Sequence, residues 1–436
     1  MKLGVFYEHQ CPQPWSDGAE LKLLHESLDQ VELADKLGFD CAWATEHHFL
    51  EEVSHSSAPE VFLAACSQRT RNIRLGHGVC LAPANYNHPA RVAERLGTLD
   101  LLSNGRVEWG TGESSTLIEM SGFGVDPANK TAMWRESVEQ TANMMAMRPY
   151  PGHQGQFFSM PARNVIPKPL QRPHPPIWMA CSRRESIIRA ARNGCGALVF
   201  GFVEPHQAKQ WRDEYYNVIK SDQCVPIGHA VNANFAALNG LMVHPDFDEA
   251  RRRSLDGFKF FGYGIAHYAA FGEHRPGATN LWERFLTVKD RMQESAGSGS
   301  IGSPKTVLAH LRAYAEVGID QMIFMQQGGR ILHEHILESL ALFAKEVMPA
   351  LKEGEEAREK RKAEELAPFL AAAMARKTGA KPLAPEEVPA VEAAALALER
   401  RNAKAGEPAT GQYVGDPTRG GAIPHATRDL FNAPGD

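Results

Sequence analysis

Short strand-like segments alternate with longer helical segments through about the first 350 residues, and this alternation limits the fold more than any other feature. Between the strand-like segments, apolar residues recur at helical spacing, as at Leu21, Leu24, Leu28 and Val31. Eight such units predict an α/β fold, a (β/α)8 TIM barrel. A doubly wound sheet is the alternative, but it usually carries a glycine-rich phosphate-binding turn after its first strand, and this sequence has none there. The predicted strands are Lys2–Tyr7, Cys41–Ala44, Ile73–Leu81, Arg106–Gly110, Ile177–Ala180, Ala197–Phe200, Phe235–Val243 and Gln321–Met325.

Composition divides the chain into a barrel domain, residues 1–351, and two segments that follow it. Within the barrel domain, residues 258–303 mix aromatic side chains with glycines and end in a Gly- and Ser-rich run. We therefore expect an insertion near the seventh strand–helix unit, with a flexible end and the position of an active-site lid. Residues 352–378 are charged, which predicts a solvated extension that is helical at most. Residues 379–436 are rich in Ala, Pro and Gly, which predicts a tail with little structure of its own.

The overall composition argues against several classes of partner. The chain has 436 residues, a formal net charge of −5 and 43% hydrophobic residues, which suits a large core and gives no reason to expect nucleic acid or an anionic membrane. No apolar run approaches the roughly 20 residues that span a bilayer. The chain begins with a strand-like segment, so we expect no signal peptide. Seven cysteines without a Cys-x-x-Cys pair favour a reducing, cytoplasmic location.

Polar or glycine-rich segments follow almost every predicted strand, at the end where parallel α/β proteins place their active sites. After the second strand come Glu46, His47 and His48. Imidazole titrates near neutrality, so His47 is a candidate general base, and the alternative is a histidine hydrogen-bonded in the barrel mouth. Neighbours on an extended strand point to opposite faces, so the two histidines do not suit one zinc ion and no metal site is expected. The other segments are residues 82–89, 110–115, 181–183, 201–202 and 326–329.

Two of these segments have both a ligand-binding and a structural interpretation. Gly110-Thr-Gly112 is half of a dinucleotide fingerprint, and it indicates either a close approach of the backbone to a ring or phosphate, or a tight turn. Ser182 precedes a predicted helix over Arg183–Arg192, so its hydroxyl either caps that helix or holds a phosphate with the free amides behind it. We expect the neighbouring Cys181 to be a buried structural thiol rather than a nucleophile.

Several longer motifs, in order along residues 1–351, resemble the bacterial luciferase-like flavin monooxygenases. Met1-Lys-Leu-Gly-Val-Phe-Tyr7 resembles that family's first strand. Gly38-Phe-Asp-Cys-Ala-Trp-Ala-Thr-Glu-His-His-Phe49 resembles its second strand and active-site histidine. These matches are specific for the superfamily and not for a substrate. The remaining matches are residues 87–106, which resemble the third helix and fourth strand, and residues 318–322 and 343–349, which resemble the closing unit.

The resemblance implies a barrel that holds reduced FMN and uses O2, through a C(4a)-hydroperoxyflavin, to oxygenate a small organic substrate. A separate NAD(P)H:flavin reductase would supply the reduced flavin, and a homodimer would be usual. His47, with Glu46 beside it, matches the family's catalytic histidine, which stabilises or activates the peroxide. Ser182 matches a serine that contacts the flavin phosphate, and a non-prolyl cis peptide is implied at Gly78–Val79, beneath the flavin ring.

Two positions depart from the luciferase pattern. Gly112 stands where the luciferase α subunit has a reactive cysteine, and Glu113 stands where luciferase often has a phosphate-binding arginine. A carboxylate repels phosphate, so either Arg183 or Arg184 replaces that charge or the phosphate contacts differ. Light emission is therefore not expected. The expected cofactor-binding residues are Gly78, Val79, Gly112, Glu113, Cys181, Ser182 and Arg183.

Two other functions stay open on the same barrel. A deazaflavin-dependent oxidoreductase would move a hydride without O2, and the longer acidic tail of its cofactor would need a basic groove beyond Ser182. A non-catalytic flavin-binding protein is the third hypothesis, and the Glu46-His47 pair argues against it because storage needs no catalytic histidine. The substrate is not identified by the sequence, although we expect residues 258–303 and Tyr86 to line its pocket.

Overall fold

The computed structural model describes residues 1–393, 397, 400, 401, 403 and 404, and within these residues eight parallel strands close into a barrel. The strands are β1 (Lys2–Tyr7), β2 (Cys41–Ala44), β3 (Arg74–His77, continued by Cys80–Leu81), β4 (Val107–Gly112), β5 (Ile177–Cys181), β6 (Gly196–Val199), β7 (Phe235–Gly240) and β8 (Gln321–Met325). Each strand pairs with the next along the chain, and β8 pairs with β1 through Gln321 and Lys2. The predicted barrel is confirmed, and β1, β2 and β8 have the predicted bounds.

Helices cover the outside of the barrel, and their ends follow local sequence signals. Helix α1 stops at Gly38, whose left-handed φ of 87° suits glycine and whose N–H bonds back to the last turn. Pro59, Pro89 and Pro205 each open a helix, where the missing N–H costs nothing. The helices are α1 (Ala19–Leu37), α2 (Pro59–Arg69), α3 (Pro89–Leu102), α4 (Leu117–Gly122), α5 (Lys130–Ala146), α6 (Arg184–Arg192), α7 (Pro205–Ile219), α8 (Phe247–Ala266), α9 (Leu281–Leu286), α10 (Pro304–Glu316), α11 (His333–Glu346), α12 (Met348–Lys352) and α13 (Glu355–Arg376).

The strands bury both of their faces. Val5 and Tyr7 of β1 belong to the apolar layer between barrel and helices, whereas Phe6 belongs to the cluster inside the barrel. Trp43 and Trp178 meet edge to face inside the barrel, with ring centroids 5.6 Å apart. Because side chains fill the interior, ligands are expected at the carboxyl ends of the strands rather than within the barrel.

The third strand differs from the continuous strand predicted over Ile73–Leu81. It is interrupted at Gly78–Val79, and the peptide bond between these two residues is cis, as the resemblance implied. The Gly78 N–H donates to the Ala44 carbonyl at 2.7 Å, which holds the interruption against the end of β2. Val79 joins the apolar cluster inside the barrel, so it lies at the carboxyl end of the interior.

The insertion also differs from its prediction. Residues 258–266 belong to α8, where Phe258 and Phe261 are buried, so the aromatic enrichment of this stretch reflects a core helix rather than a lid. The Gly- and Ser-rich end packs closely, because a Cβ added at Gly297 would collide with Phe202. The seventh strand ends at Gly240, and Met242–Val243 pairs separately with Ile301–Gly302.

The charged segment after the barrel is helical, as its pattern allowed, but it is not wholly solvated. The chain before this segment forms α11 and α12, and Pro349 lies in the first turn of α12. Helix α13 buries Leu366 and Ala373 in the main apolar layer. Lys362 on α13 donates to Asp320 at 2.8 Å, beside the amino end of β8, so the charged residues of this helix partly serve as contacts. The barrel unit ends at Pro382, and most of the tail predicted over 379–436 lies outside the described residues.

The seven cysteines all lie in the described part, and every thiol is buried and unpaired. None of the helices in the described ranges combines the length and hydropathy that a membrane span requires.

Candidate active site

The carboxyl end of β2 continues into a compact loop that is fastened to β1. The His47 N–H donates to the Ser56 carbonyl at 2.9 Å. Two residues earlier, the Ser54 hydroxyl donates to the Glu8 carbonyl at 2.8 Å. The loop therefore fixes the position of His47 relative to Glu8, which follows β1.

The His47 imidazole lies between two carboxyl groups. Its Nδ1 is 2.9 Å from Oε1 of Glu119, and its Nε2 is 3.8 Å from Oε2 of Glu8. The His47 side chain is 15% exposed, whereas Glu119 is fully buried. Within the described residues, Oε2 of Glu8 has no hydrogen-bond partner. One imidazole nitrogen is thus held by a hydrogen bond, and the other faces a carboxyl group with a free acceptor.

The three groups shift one another's pKa values. Burial opposes a charge on His47, but the carboxylates of Glu119 and Glu8 outweigh it and raise the pKa of His47 to about 9. Burial raises the pKa of Glu8 to about 7 despite the nearby imidazole. Burial also acts on Glu119, but His47 and hydrogen bonds from Thr116 and His48 lower its pKa to about 2. At neutral pH His47 is therefore an imidazolium, Glu119 is a carboxylate, and Glu8 is close to the midpoint of its titration.

Glu119 is the residue that sequence reasoning missed. It lies on α4, after β4, and it also accepts hydrogen bonds from the Ser114 hydroxyl at 2.9 Å and the Thr116 hydroxyl at 2.6 Å. The His48 N–H donates to the same carboxylate at 3.0 Å. One feature of the sequence could have drawn attention to Glu119, because Thr116-Leu-Ile-Glu119 has the spacing of a capping box at the start of a helix.

Glu46, predicted to be catalytic with His47, contacts other groups. It accepts from the Leu81 N–H at 2.7 Å and from the Asn87 amide at 2.8 Å, and it lies 3.0 Å from Nε2 of His48. These contacts connect β2 to the end of β3. The imidazole rings of His47 and His48 therefore bind different carboxylates. Among the described residues, no group of three or more His, Cys, Asp or Glu side chains is arranged to hold a metal ion.

The two glycines of β4 allow close packing against β3. Gly110 and Gly112 are strand residues, so the tight turn considered for Gly110-Thr-Gly112 does not occur. A Cβ at Gly110 would collide with the His77 carbonyl, and a Cβ at Gly112 would lie 2.5 Å from Cγ2 of Val79. The backbone of β4 therefore approaches the neighbouring strand β3 closely. The missing side chain of Gly112 gives Val79 the space that it occupies beside the cis peptide.

Glu113 is neutralised by an arginine that the sequence did not single out. Arg189 on α6 donates to Glu113 at 2.9 Å, and Thr131 donates to the same carboxylate at 2.7 Å. Arg184 pairs with Glu214 at 2.6 Å. Of the two arginines proposed to replace the phosphate-binding charge, Arg183 has no carboxylate partner within the described ranges.

The end of β5 exposes a hydroxyl beside this free guanidinium. Ser182 and Arg183 are both exposed, and α6 is capped by Arg183 and Ser186 rather than by Ser182. The helix-capping interpretation of Ser182 is therefore wrong. Cys181 is fully buried, and burial raises the pKa of its thiol to about 12, as expected for a structural cysteine.

These strand ends suit a flavin phosphate and ring. The Ser182 hydroxyl and the Arg183 guanidinium are the kinds of donor that hold a phosphate. After β6, a Cβ added at Gly201 would approach Val203 alone among the described residues, at 3.8 Å, so the backbone at Gly201 is not covered by side chains. The half-buried Phe200 lies 5.5 Å from Phe6 and continues the apolar interior to the mouth. The residues present therefore fit an anionic tail at β5 and a planar ring over the interior.

The family model for luciferase-like monooxygenases matches residues 1–321. The chain belongs to this family. An uncharacterised Sinorhizobium fredii protein is 39% identical over 177 residues, which cover 40% of this chain and 50% of that protein. The chain thus spans about half the length of such curated relatives. The oxygenase component of a flavin-dependent trigonelline monooxygenase from Acinetobacter baylyi is 26% identical over 76% of this chain and 91% of that protein.

Solved structures of other proteins share the barrel. Monooxygenase RslO1 from Streptomyces bottropensis superposes with a TM-score of 0.65 at 25% identity, covering 80% of this chain and 99% of that one. The oxygenating constituent of 3,6-diketocamphane monooxygenase from Pseudomonas putida, in complex with FMN, gives 0.59 at 19% identity, covering 80% and 98%. An F420-dependent secondary alcohol dehydrogenase gives 0.60 at 17% identity with the same coverage. The last two similarities establish the fold alone.

Proposed function

We propose that this luciferase-like protein is an FMN-dependent monooxygenase that takes reduced flavin from a separate reductase and transfers one oxygen atom of O2 to a small organic substrate. The observation that carries the proposal is His47, held between Glu8 and Glu119 at the barrel mouth. The trigonelline monooxygenase supports it, because an oxygenase component implies a partner that supplies electrons. The two donors of the reaction are then the reduced flavin and the substrate.

In this proposal His47 acts as a proton donor rather than as the general base first considered. When bound, reduced FMN would supply the electrons that activate O2. With a pKa of about 9, His47 carries its proton at neutral pH and donates to an oxygen on which negative charge develops. Glu119 fixes Nδ1, so Nε2 is the donating atom. Glu8 lies too far from Nε2 for a direct hydrogen bond, so it would return a proton through an intervening group.

At the opposite side of the mouth, the proposed phosphate site consists of Ser182 and Arg183. Both are exposed at the end of β5, and a bidentate guanidinium suits a phosphate. Glu113 does not oppose an anion there, because Arg189 neutralises it. Gly112 contributes by leaving room for Val79 under the ring rather than by a contact of its own.

A deazaflavin-dependent hydride transfer is the second candidate, since an F420-dependent dehydrogenase shares the fold. The longer acidic tail of that cofactor needs a strongly basic groove. Beyond Ser182 the chain places Arg183, Arg184 and Arg189, but the last two are paired with carboxylates. One free arginine suits the single phosphate of FMN better than a longer polyanion.

The deciding experiment is an anaerobic titration with reduced FMN, followed by mixing with oxygenated buffer in a stopped-flow spectrometer. We expect binding and then a long-lived absorbance distinct from those of reduced and oxidised FMN. The same titration with a reduced deazaflavin is the competing arm. Preferential binding of the deazaflavin would favour the hydride-transfer function over the monooxygenase. Binding of neither cofactor would contradict both functions.

The His47→Ala variant tests the role of the histidine in the same assay. We expect affinity for reduced FMN to change by no more than a few-fold, and turnover with a panel of aldehydes, ketones, alkenes and aromatics to fall by about 10²–10⁴. His25→Ala, which removes an exposed imidazole from α1, is the matched control. Unchanged turnover in His47→Ala would exclude His47 from the mechanism.

The remaining parts of the proposal concern the whole protein. We propose a cytoplasmic homodimer in which the barrel unit extends through α13 and is followed by residues 379–436. Sedimentation of the purified full chain measures the oligomeric state directly.

A further inference from the structure

Glu52 connects three separate loops at the mouth of the barrel. It lies in the short turn after His47, is fully buried, and has no ion-pair partner in the described part of the chain. Its carboxylate accepts the backbone N–H of Gln13 at 2.9 Å and of Trp282 at 3.0 Å, and it also accepts the N–H of Leu281. Gln13 follows β1, and the other two residues begin α9 within the insertion. One carboxylate thus holds the loops that follow β1 and β2 to the insertion.

Apolar packing reinforces the same junction. Leu50 and Val53, on either side of Glu51 and Glu52, are fully buried against Phe260, Trp282 and Phe285. These aromatic residues belong to α8 and α9, so the insertion presses directly on the turn that carries Glu52.

A second acidic side chain adds a contact to the insertion. Oε1 of Glu51 accepts the Gly277 N–H at 2.7 Å and lies 3.2 Å from Nε2 of His274. Glu51 also adopts a positive φ of 36°, which is uncommon for a residue with a side chain. The turn is therefore shaped by its contacts with the insertion rather than by its own preference.

The residues that follow Glu52 hold the two ends of the proposed proton-transfer pair. Ser54 donates to the backbone of Glu8, and the carbonyl of Ser56 receives the N–H of His47. A displacement of the turn would therefore change the separation between Glu8 and His47.

We propose that Glu52 is a positioning residue that couples the insertion, residues 258–303, to the Glu8–His47 pair. The pair is set to its working geometry when α9 is docked on the Glu52 carboxylate, and it relaxes when α9 leaves. The effect of this coupling on catalysis rests on the proposed function. The structural coupling between α9 and the Glu8–His47 pair does not depend on it.

The test uses the full-length protein without flavin, so its outcome is independent of the monooxygenase assignment. Glu52→Gln keeps one acceptor oxygen but replaces the other with an NH2 group that faces N–H donors. Hydrogen exchange monitored by mass spectrometry is expected to become at least about tenfold faster in residues 281–286 and also in residues 45–58. Glu283→Gln removes an exposed carboxylate from the first turn of α9 and serves as the matched control.

A titration of His47 by NMR separates coupling from a merely local role. The carboxyl groups around this imidazole are Glu8, Glu46 and Glu119, and none is altered in Glu52→Gln. We expect the His47 midpoint to fall by at least about 0.5 in pH as Glu8 moves away. Faster exchange confined to residues 281–286, with an unchanged His47 midpoint, would overturn the proposal.

If Glu52→Gln does not fold, Leu281→Ala tests the junction from the insertion side. It removes part of the packing of α9 and leaves every carboxylate in place. The same two changes are expected, faster exchange in residues 45–58 and a lower His47 midpoint. Their absence in a folded Leu281→Ala protein with faster exchange in α9 would equally contradict the coupling.

Discussion

At the scale of single residues, the site is organised by two carboxyl groups with opposite pKa shifts. Glu119 is buried, but the charge of His47 and several hydrogen bonds lower its pKa to about 2. Burial raises the pKa of Glu8 to about 7, and its Oε2 has no hydrogen-bond partner among the described residues. His47 lies between them and stays protonated at neutral pH. Pairs of titratable groups with diverging pKa values are typical of acid–base sites.

Replacing Glu119 tests this charge distribution. In Glu119→Gln the main opposing charge is lost while burial remains, so the pKa of His47 should fall from about 9 toward or below its ordinary 6.5. NMR titration of histidine-labelled protein measures the change. Glu185→Gln, at an exposed carboxylate on α6, is the control and should leave His47 unchanged.

The same variant should change how stability depends on pH. A histidine whose pKa rises on folding stabilises the native state fully below pH 6.5, and this contribution is lost as pH rises through about 9. Urea midpoints of the unaltered protein should therefore decline between these pH values more than those of Glu119→Gln. Equal slopes in the two proteins would contradict the ion pair.

At the scale of elements, β3 and β4 depend on glycines at their contact. Val79 lies inside the barrel at the interruption of β3, and Gly112 leaves no side chain in its way. The end of β3 beneath the proposed ring can therefore adopt its position because Gly112 of β4 has no side chain.

We expect Gly112→Ala to displace Val79, because the new Cβ would lie 2.5 Å from Cγ2 of that residue. Overpacking of this kind costs about 1–3 kcal/mol, and reduced-FMN affinity should fall with it. Thermal unfolding and the anaerobic flavin titration measure the two effects. Gly262→Ala is the control, since its Cβ would have no neighbour within 4 Å and alanine in a helix should stabilise by about 0.5–1 kcal/mol.

The sequence predicted elements well where local pattern decides and poorly where distant contacts decide. Strands β1, β2 and β8 follow from short apolar runs, and Gly38 marks the end of α1. By contrast, the contact between His47 and Glu119 joins residues 72 apart in the chain. Composition places the aromatic residues of α8 in an insertion with the position of a lid, because composition does not distinguish a buried helix from a lid.

At the scale of the whole molecule, α13 is part of the barrel unit. Leu366 and Ala373 are buried in the main apolar layer, and Lys362 pairs with Asp320. Near its end, Arg376 donates to the carbonyl groups of Ser221 and Cys224. Charge alone suggested a solvated helix, because the few apolar residues that matter lie on one face of it.

Two truncations test this boundary. A chain ending at Pro382 should unfold within about 0.5 kcal/mol of the full protein, since it keeps the whole of α13 and the contacts described between this helix and the barrel. A chain ending at Glu353 should lose about 2–4 kcal/mol, because it removes the buried Leu366 and leaves Asp320 without Lys362. Urea denaturation of both chains measures the difference, and equal midpoints would show that α13 contributes nothing.

The burial of all seven cysteines has a consequence for chemical durability. Burial is the largest influence on each thiol and raises its pKa, as at Cys66, Cys80 and Cys195. Peroxide attacks the thiolate, and exposed thiolates react fastest. If the proposed reaction occasionally releases hydrogen peroxide instead of product, the barrel offers it no accessible sulfur anion. The packing that stabilises the fold would therefore also extend the working life of the protein.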